Sequence, residues 1–416
     1  MNNNSLKIFV SAYACEPNLG SEIGVGWHWV LEMSKYFELW VLTRKSNKIG
    51  IEVWLKENPS YKNIHFIYFD LPYYLRFWKK GMRGVRTYYN IWQWTTNSIV
   101  KKTMQSQNIK IFHHLTYGNA LWSVSSYGKK QFFIWGPTGG GETIPSEFSK
   151  HYNFKGRFIE SLRRTVVKSL KYNVGFKSRC KHANLILCKT ENHRYIIPYK
   201  FREKAILFTD VAVDALDFEQ YYQEENRKLV KYIVVGKLDP WRGFDLLIEA
   251  FEIAIKTDPN IHLKIVGKGF DKERLQQLID VKKLSKHIEM TGEIPMEDYY
   301  TLMKETDVVF NTSLKEGAVT TSFDSMALGK PLVCIDTTGY TRYFSNEYAI
   351  VLPLQKRQEL IIALKDAILK LTNPIERARL GENAQNMGKQ FTWHARGVEI
   401  HETIVQWFNA KPNSKL

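Results

Sequence analysis

The chain of 416 residues is 44% apolar and 24% charged, which excludes a disordered, collagenous or membrane-embedded protein. At roughly 150 residues per domain it has room for two or three domains, each with its own core. Its 59 Lys and Arg against 42 Asp and Glu give a formal charge of +17, so an anionic partner is expected.

Short apolar runs alternate with helical patterns along the whole chain, the pattern of strand-helix-strand units in parallel sheets. Leu6 to Ala14 reads as a buried strand, followed by a Gly-rich loop from Pro17 to Gly26 and a helix from Trp27 to Tyr36. Further strands are expected at Leu39 to Thr43, Ile64 to Phe69, Ile109 to Leu115, Gln131 to Gly136 and Asn184 to Cys188. A second series follows Phe208: Tyr232 to Gly236, Ile261 to Gly267, Ile288 to Gly292, Asp307 to Thr312 and Pro331 to Asp336. Helices are expected at Phe244 to Lys256, Glu297 to Lys304 and Ala395 to Phe408. The α/β reading is thus two Rossmann-like domains, residues 1–200 and 201–390, with residues 391–416 packing across a hinge at about Tyr199 to Lys228.

Cys15, Cys180, Cys188 and Cys334 match no zinc or redox spacing and are expected to be buried thiols in a reducing cytoplasm. The N-terminus does not read as a secretory signal, and no window approaches the ~18 to 20 apolar residues of a membrane span.

Ligands of open parallel sheets bind at the carboxyl ends of strands, so residues just past those ends carry the chemistry. After the strand ending at Gly236 come Lys237 and Arg242, two cations flanking a turn that opens a helix. Paired positive charge beside backbone N–H groups suits a diphosphate. After the strand ending at Thr312, Glu316 lies in the loop and Asp324 eight positions later on the following helix. Between them Gly317, Ala318, Val319, Thr320 and Thr321 lead into a helix N-terminus, where a phosphate sits favourably. A ligand with a sugar at one end and a nucleoside at the other satisfies all of these features.

The stretches VVGKLDPWRGFDLLIEAF, IVGKGFDKERL, TGEIPMEDYY and SLKEGAVTTSFDSMALGKPLV resemble the C-terminal half of the family 4 glycosyltransferases of GT-B fold, over roughly Ile233 to Pro353. That resemblance implies two Rossmann-like domains facing a central cleft, with the C-terminal helix crossing back to the first. It implies a retaining, metal-independent enzyme that moves a sugar from a nucleotide-diphosphate donor to a hydroxyl of a glycan, lipid-linked, in cell-surface polysaccharide synthesis. No cofactor is expected, and the chain holds no Asp-x-Asp. On the family's pattern Glu316 contacts the donor sugar, and Asp324, where the family usually has Glu, the ribose. Lys237 and Arg242 hold the diphosphate with Gly236 beside them, the two residue types being exchanged relative to the family's order. The backbone of Ile294 meets the base. Either His113 or His114, at a strand end, touches the donor sugar, and Gly20, Glu22, Gly139 and Gly140 line the acceptor side of the cleft.

Two segments carry most of the charge. Tyr73 to Trp94 has five Lys or Arg, no acid and eight aromatics, and Lys150 to His182 has ten Lys or Arg and one acid. Within the second, Ile159, Leu162, Val166 and Leu170 form one helical face and Arg157, Arg164, Lys168 and Lys171 another. Both segments suit the surface of an anionic membrane, giving a cytoplasmic protein held on the membrane's inner face. The competing readings are a phosphorylase or a non-catalytic binding protein of the same fold, or a nucleic-acid binder using the basic segments, although no nucleic acid is the expected partner.

Overall fold

A computed structural model describes residues 6–79, 81, 83–128, 131–213, 229–315, 319–337 and 339–410. The chain divides into two compact units, one of residues 1–141, 167–210 and 393–416, the other of residues 142–166 and 211–392.

The first unit is built on β1 (Lys7–Ser11), β2 (Glu38–Arg44), β3 (Ile64–Phe69), β4 (Ile111–His114), β5 (Phe132–Thr138), β6 (Leu185–Cys188) and β7 (Ala205–Leu207). They form one parallel sheet in the order β3-β2-β1-β4-β5-β6-β7. The central strands β4, β5 and β6 are buried along their whole length, as apolar runs covered on both faces must be. The strand direction of winding reverses between β1 and β4, which leaves a crevice beyond their carboxyl ends.

The second unit repeats the plan with β8 (Val230–Val235), β9 (Ile261–Val266), β10 (Ile288–Gly292), β11 (Val308–Asn311), β12 (Leu332–Ile335) and β13 (Ala349–Leu352). The order is β10-β9-β8-β11-β12-β13, again all parallel, and the switch lies between β8 and β11.

Several expectations need correction. The first helix runs Ser21–Ser34, so the segment read as a Gly-rich loop is largely helical. Its glycines are there for close approach: a Cβ at Gly24 would lie 1.9 Å from the Leu19 carbonyl oxygen, and one at Gly26 2.0 Å from that of Ala14. Two short edge strands, β7 and β13, were not expected. Residues 142–166, read as part of the first domain, pack with the second unit, where Ile144, Phe148 and Tyr152 join the core of Tyr232, Phe244 and Phe251. The helix Trp393–Asn409 belongs to the first unit, with the Trp393 ring stacked on His28 at 4.7 Å and the His401 ring on Tyr36 at 4.4 Å.

The two basic segments also differ from expectation. Part of the aromatic stretch is core, since three of its eight aromatics, Tyr88, Tyr89 and Trp92, are buried while Tyr73, Tyr74, Phe77 and Trp94 are exposed. On the helix Phe154–Ser169 the inward residues are Gly156 and Glu160, whereas Phe154, Phe158, Ile159 and Leu162 face solvent. All four cysteines are buried thiols outside any disulfide. Among the described residues no helix is long and apolar enough to cross a membrane.

Candidate functional site

In the first unit a cleft of about 780 Å³ opens beyond the carboxyl ends of β1, β4, β5 and β6. Each strand end contributes to it: Glu22 follows β1, Tyr117 and Trp122 follow β4, Gly139 and Gly140 follow β5, and Lys189 follows β6. Glu22 Oε1 accepts the Tyr117 N–H at 2.8 Å, and its Oε2 lies 3.8 Å from the Lys189 ammonium, which also pairs with the buried Asp210. The loops after β4 and β5 are tied by Ala120 N–H to the Gly139 carbonyl at 3.0 Å and Gly139 N–H to the Gly118 carbonyl at 3.1 Å. Gly20 stands at the start of the helix Ser21–Ser34, outside the cleft lining.

His113 and His114 both lie in the sheet, and neither ring lines the cleft. His113 Nε2 is 2.7 Å from the Gly136 carbonyl, so that nitrogen carries the proton. Burial pushes its pKa down to about 4, the Gly136 hydrogen bond opposing, and the ring is neutral. His114 Nε2 sits 3.0 Å from the Tyr89 hydroxyl, and burial, with the charges of His113 and Arg179, pushes it down to about 3.

In the second unit the two loops flanking the switch are stitched together. The Arg242 guanidinium lies 4.6 Å over the Trp241 ring and donates to the Ser313 hydroxyl at 3.3 Å, while the Thr312 hydroxyl donates to the Arg242 carbonyl at 2.8 Å. Leu314 N–H reaches the Trp241 carbonyl at 2.9 Å. This approach demands Gly243, which has φ +69 and whose Cβ would stand 2.4 Å from the Thr312 carbonyl oxygen. At Gly236 the guanidinium carbon of Arg242 lies 3.5 Å from where a Cβ would be. Lys237 extends to solvent with its side chain 66% exposed, 3.3 Å from the Asp239 carboxylate. Both cations thus stand on the rim of the crevice, where an anionic ligand can meet them.

Past β11 the helix Thr320–Ala327 begins after Val319, whose side chain does not cap it, and the N–H groups of Thr320 and Thr321 belong to its first turn, where such groups point out of the helix end. Asp324, on the same helix, is buried and accepts from the Tyr299 hydroxyl at 2.6 Å. Ile294 is half-buried just past β10. Glu316, Gly317 and Ala318 lie outside the described residues. Immediately before them, Lys315 is buried against Trp241 at 5.2 Å and donates to Glu160 of the helix Phe154–Ser169.

The structure therefore joins Lys237, Arg242, Val319, Thr320 and Thr321 to one switch point, with Asp324 behind them on the same helix, and places Glu22, Gly139 and Gly140 in the cleft of the other unit. Sequence reasoning missed Tyr117, Trp122, Arg86 and Lys189 in that cleft, and Ser313, Tyr299, Lys315 and Glu160 around the second switch. The available signal for Tyr117, Lys189 and Ser313 was their position just past a strand end; Glu160 and Arg86 carried none.

Residues 217–387 match the family model described as Glycosyl transferases group 1. An uncharacterised glycosyltransferase of Methanocaldococcus jannaschii is 26% identical over 267 residues, which is 63% of this chain and 64% of the relative, just under two thirds of its length. Among solved structures, a glycosyltransferase from Rickettsia africae superposes with a TM-score of 0.60 at 14% identity, covering 98% of this chain and 100% of that one. The Anabaena protein HepE, in complex with UDP and glucose, gives 0.58 at 14% identity over 96% of this chain and 100% of its own. The fold is that of the GT-B glycosyltransferases, two α/β units each with a parallel sheet.

Proposed function

We propose that the chain is a retaining glycosyltransferase of family 4 type that takes a nucleotide-diphosphate sugar in its second unit and transfers the sugar to a hydroxyl of a glycan held by its first. The observation that supports this reading is the pair of stitched loops at the β8/β11 switch, where Arg242, next to Lys237 in its loop, is bonded to Thr312 and Ser313 just past β11. Negative charge grows on the departing diphosphate as the sugar bond breaks. Cations and N–H groups already fixed at that place stabilise the charge without reorganising, which is the largest single source of rate in such sites. In this reading Asp324, whose carboxylate accepts from the Tyr299 hydroxyl, accepts also from the ribose diol, and Glu316 accepts from the donor sugar. In this reading His113 and His114, buried in the sheet and neutral, act through the strand ends and backbone they hold in place. No metal is required in this scheme, because Lys237, Arg242 and the helix terminus take the part a divalent cation has elsewhere.

The acceptor we propose is lipid-linked and met at an anionic membrane surface, as a step of cell-surface polysaccharide synthesis by a cytoplasmic, peripherally bound protein. Exposed Tyr73, Tyr74 and Phe77 beside Arg76 and Lys79, and exposed Phe154, Phe158 and Leu162 beside Lys155 and Arg157, support that reading. The test is nucleotide release from a panel of UDP-, GDP-, ADP- and dTDP-sugars by the wild type and by Glu316→Ala. Release from one donor, lost in the variant, is the expected result; release equal in both, or nucleotide neither bound nor released from any donor, refutes the reading.

A further inference from the structure

The cleft of the first unit has a definite chemical character. Its floor is aromatic: the Tyr117 and Trp122 rings lie 5.3 Å apart at 32°, and Tyr117 is backed by Tyr89, stacked at 5.3 Å, and Tyr13, edge-on at 5.0 Å. Tyr117 itself adopts φ +57, which is strained for a bulky residue and persists only where the surroundings over-determine it. Here the Glu22 carboxylate grips its N–H and three rings hold its side chain. A held, half-buried aromatic face of this kind suits the apolar face of a sugar ring.

One wall is cationic. Arg86 lines the cleft, is exposed, and pairs with no carboxylate among the described residues. It stands in the first turn of the helix Val85–Thr95, whose start has no side-chain cap, and Gly84 and Val85 line the cleft beside it. The positive end of that helix and the guanidinium thus act on the same spot. The other lining cation, Lys189, is already matched by Asp210 and Glu22.

We infer that this cleft takes a saccharide bearing an anionic group, with a sugar face on Trp122 and Tyr117 and the anion at Arg86 and the first turn of its helix. That this saccharide is the acceptor rests on the glycosyltransferase reading above; its binding does not. The anion has two possible sources, a carboxylate or phosphate on the sugar or the phosphate that joins the sugar to a lipid, and both present the same chemistry to Arg86.

Ligand-observed NMR titration of the full chain, with UDP present in excess to fill any nucleotide site, decides the matter. The probes are methyl glucoside, methyl glucuronide and the methyl phosphodiester of glucose 1-phosphate. At least one anionic probe binds roughly ten-fold or more tightly than the neutral one, as expected for a charge-assisted pair. Arg86→Gln erases that preference without weakening the neutral probe, Trp122→Ala weakens all three, and Trp122→Tyr, which keeps a ring and the fold, restores them. A preference for the glucuronide assigns the charge to the sugar, and one for the phosphodiester assigns it to the lipid linkage. Equal binding of neutral and anionic probes, a preference that survives Arg86→Gln, or no binding of any probe overturns the inference. Anion-dependent binding in a protein that releases nucleotide from no donor would instead sink the transferase reading and leave the cleft assignment standing.

Discussion

Replacing Glu160 alone with Gln destabilises the second unit far more than replacing Glu160 and Lys315 together with Met. Both side chains are almost wholly buried, 3% and 4% exposed, and they pair with each other between the middle of the helix Phe154–Ser169 and the loop after β11, far apart in sequence. Burial, aided by the charge of Arg163, pushes the Lys315 ammonium from 10.5 down to about 8, with Glu160 opposing. At ~1.4 kcal/mol per pKa unit that gap is worth ~3 kcal/mol. Because the folded protein holds this proton less tightly than the unfolded chain, the penalty is full below pH 8 and fades as pH rises through 10.5. Wild-type stability therefore gains ~3 kcal/mol from this group over that interval. Removing only the carboxylate strands the ammonium and costs ~3–5 kcal/mol near neutral pH, much of it recovered in alkali as the amine deprotonates. Removing both charges with apolar side chains of similar length is neutral or stabilising by ~1–4 kcal/mol and abolishes the alkaline gain. Urea unfolding, followed by tryptophan fluorescence at about pH 7 and about pH 9.5, reads all three proteins. A single variant that loses less than ~1 kcal/mol, or a double variant as weak as the single one, would refute this reasoning.

Four further outcomes are expected. Arg242→Ala, which leaves its loop intact through the Thr312 bond to the backbone, lowers nucleotide release ~100- to 1,000-fold in single-turnover assays while the melting temperature changes little. Tyr299→Phe removes the hydroxyl that orients Asp324 and raises KM for the donor more than it lowers kcat. Acid unfolding has a histidine component: His113, held down to about 4, is neutral when folded, so stability falls as pH drops from 6.5 toward 4, by ~3 kcal/mol for this ring, and His113→Gln flattens that slope in pH-dependent denaturation. Phe158→Ser with Tyr74→Ser reduces sedimentation with anionic phosphatidylserine vesicles, leaving solution nucleotide release unchanged.

The parallel sheets were legible because β1 to β6 and β8 to β12 are short segments rich in apolar and β-branched residues, separated by helical patterns. The edge strands β7 and β13 were not, being three and four residues long with no flanking signal. The helix at Ser21 was hidden by Gly24 and Gly26, which read as turn residues although they serve to let the helix lie against the Leu19 and Ala14 carbonyls. The crossing of residues 142–166 into the second unit could not be read, since Ile144, Phe148 and Tyr152 are ordinary apolar residues whose destination depends on tertiary packing. The donor-side cations were legible as a charged loop after a strand. What the sequence could not give was their stitching, because Ser313 and Thr312 lie some seventy positions from Arg242 and meet it only across the switch. The cleft residues Arg86, Trp122 and Lys189 were scattered for the same reason.

The account stands most directly on the diphosphate site, and calorimetric titration of a nucleoside diphosphate against its monophosphate measures it. In the wild type the second phosphate strengthens binding roughly ten-fold or more, and in the Lys237→Ala, Arg242→Ala double variant that advantage disappears while monophosphate affinity stays the same. An undiminished advantage in the double variant, or none in the wild type for any of the four bases, would contradict a nucleotide-sugar site at the β8/β11 switch.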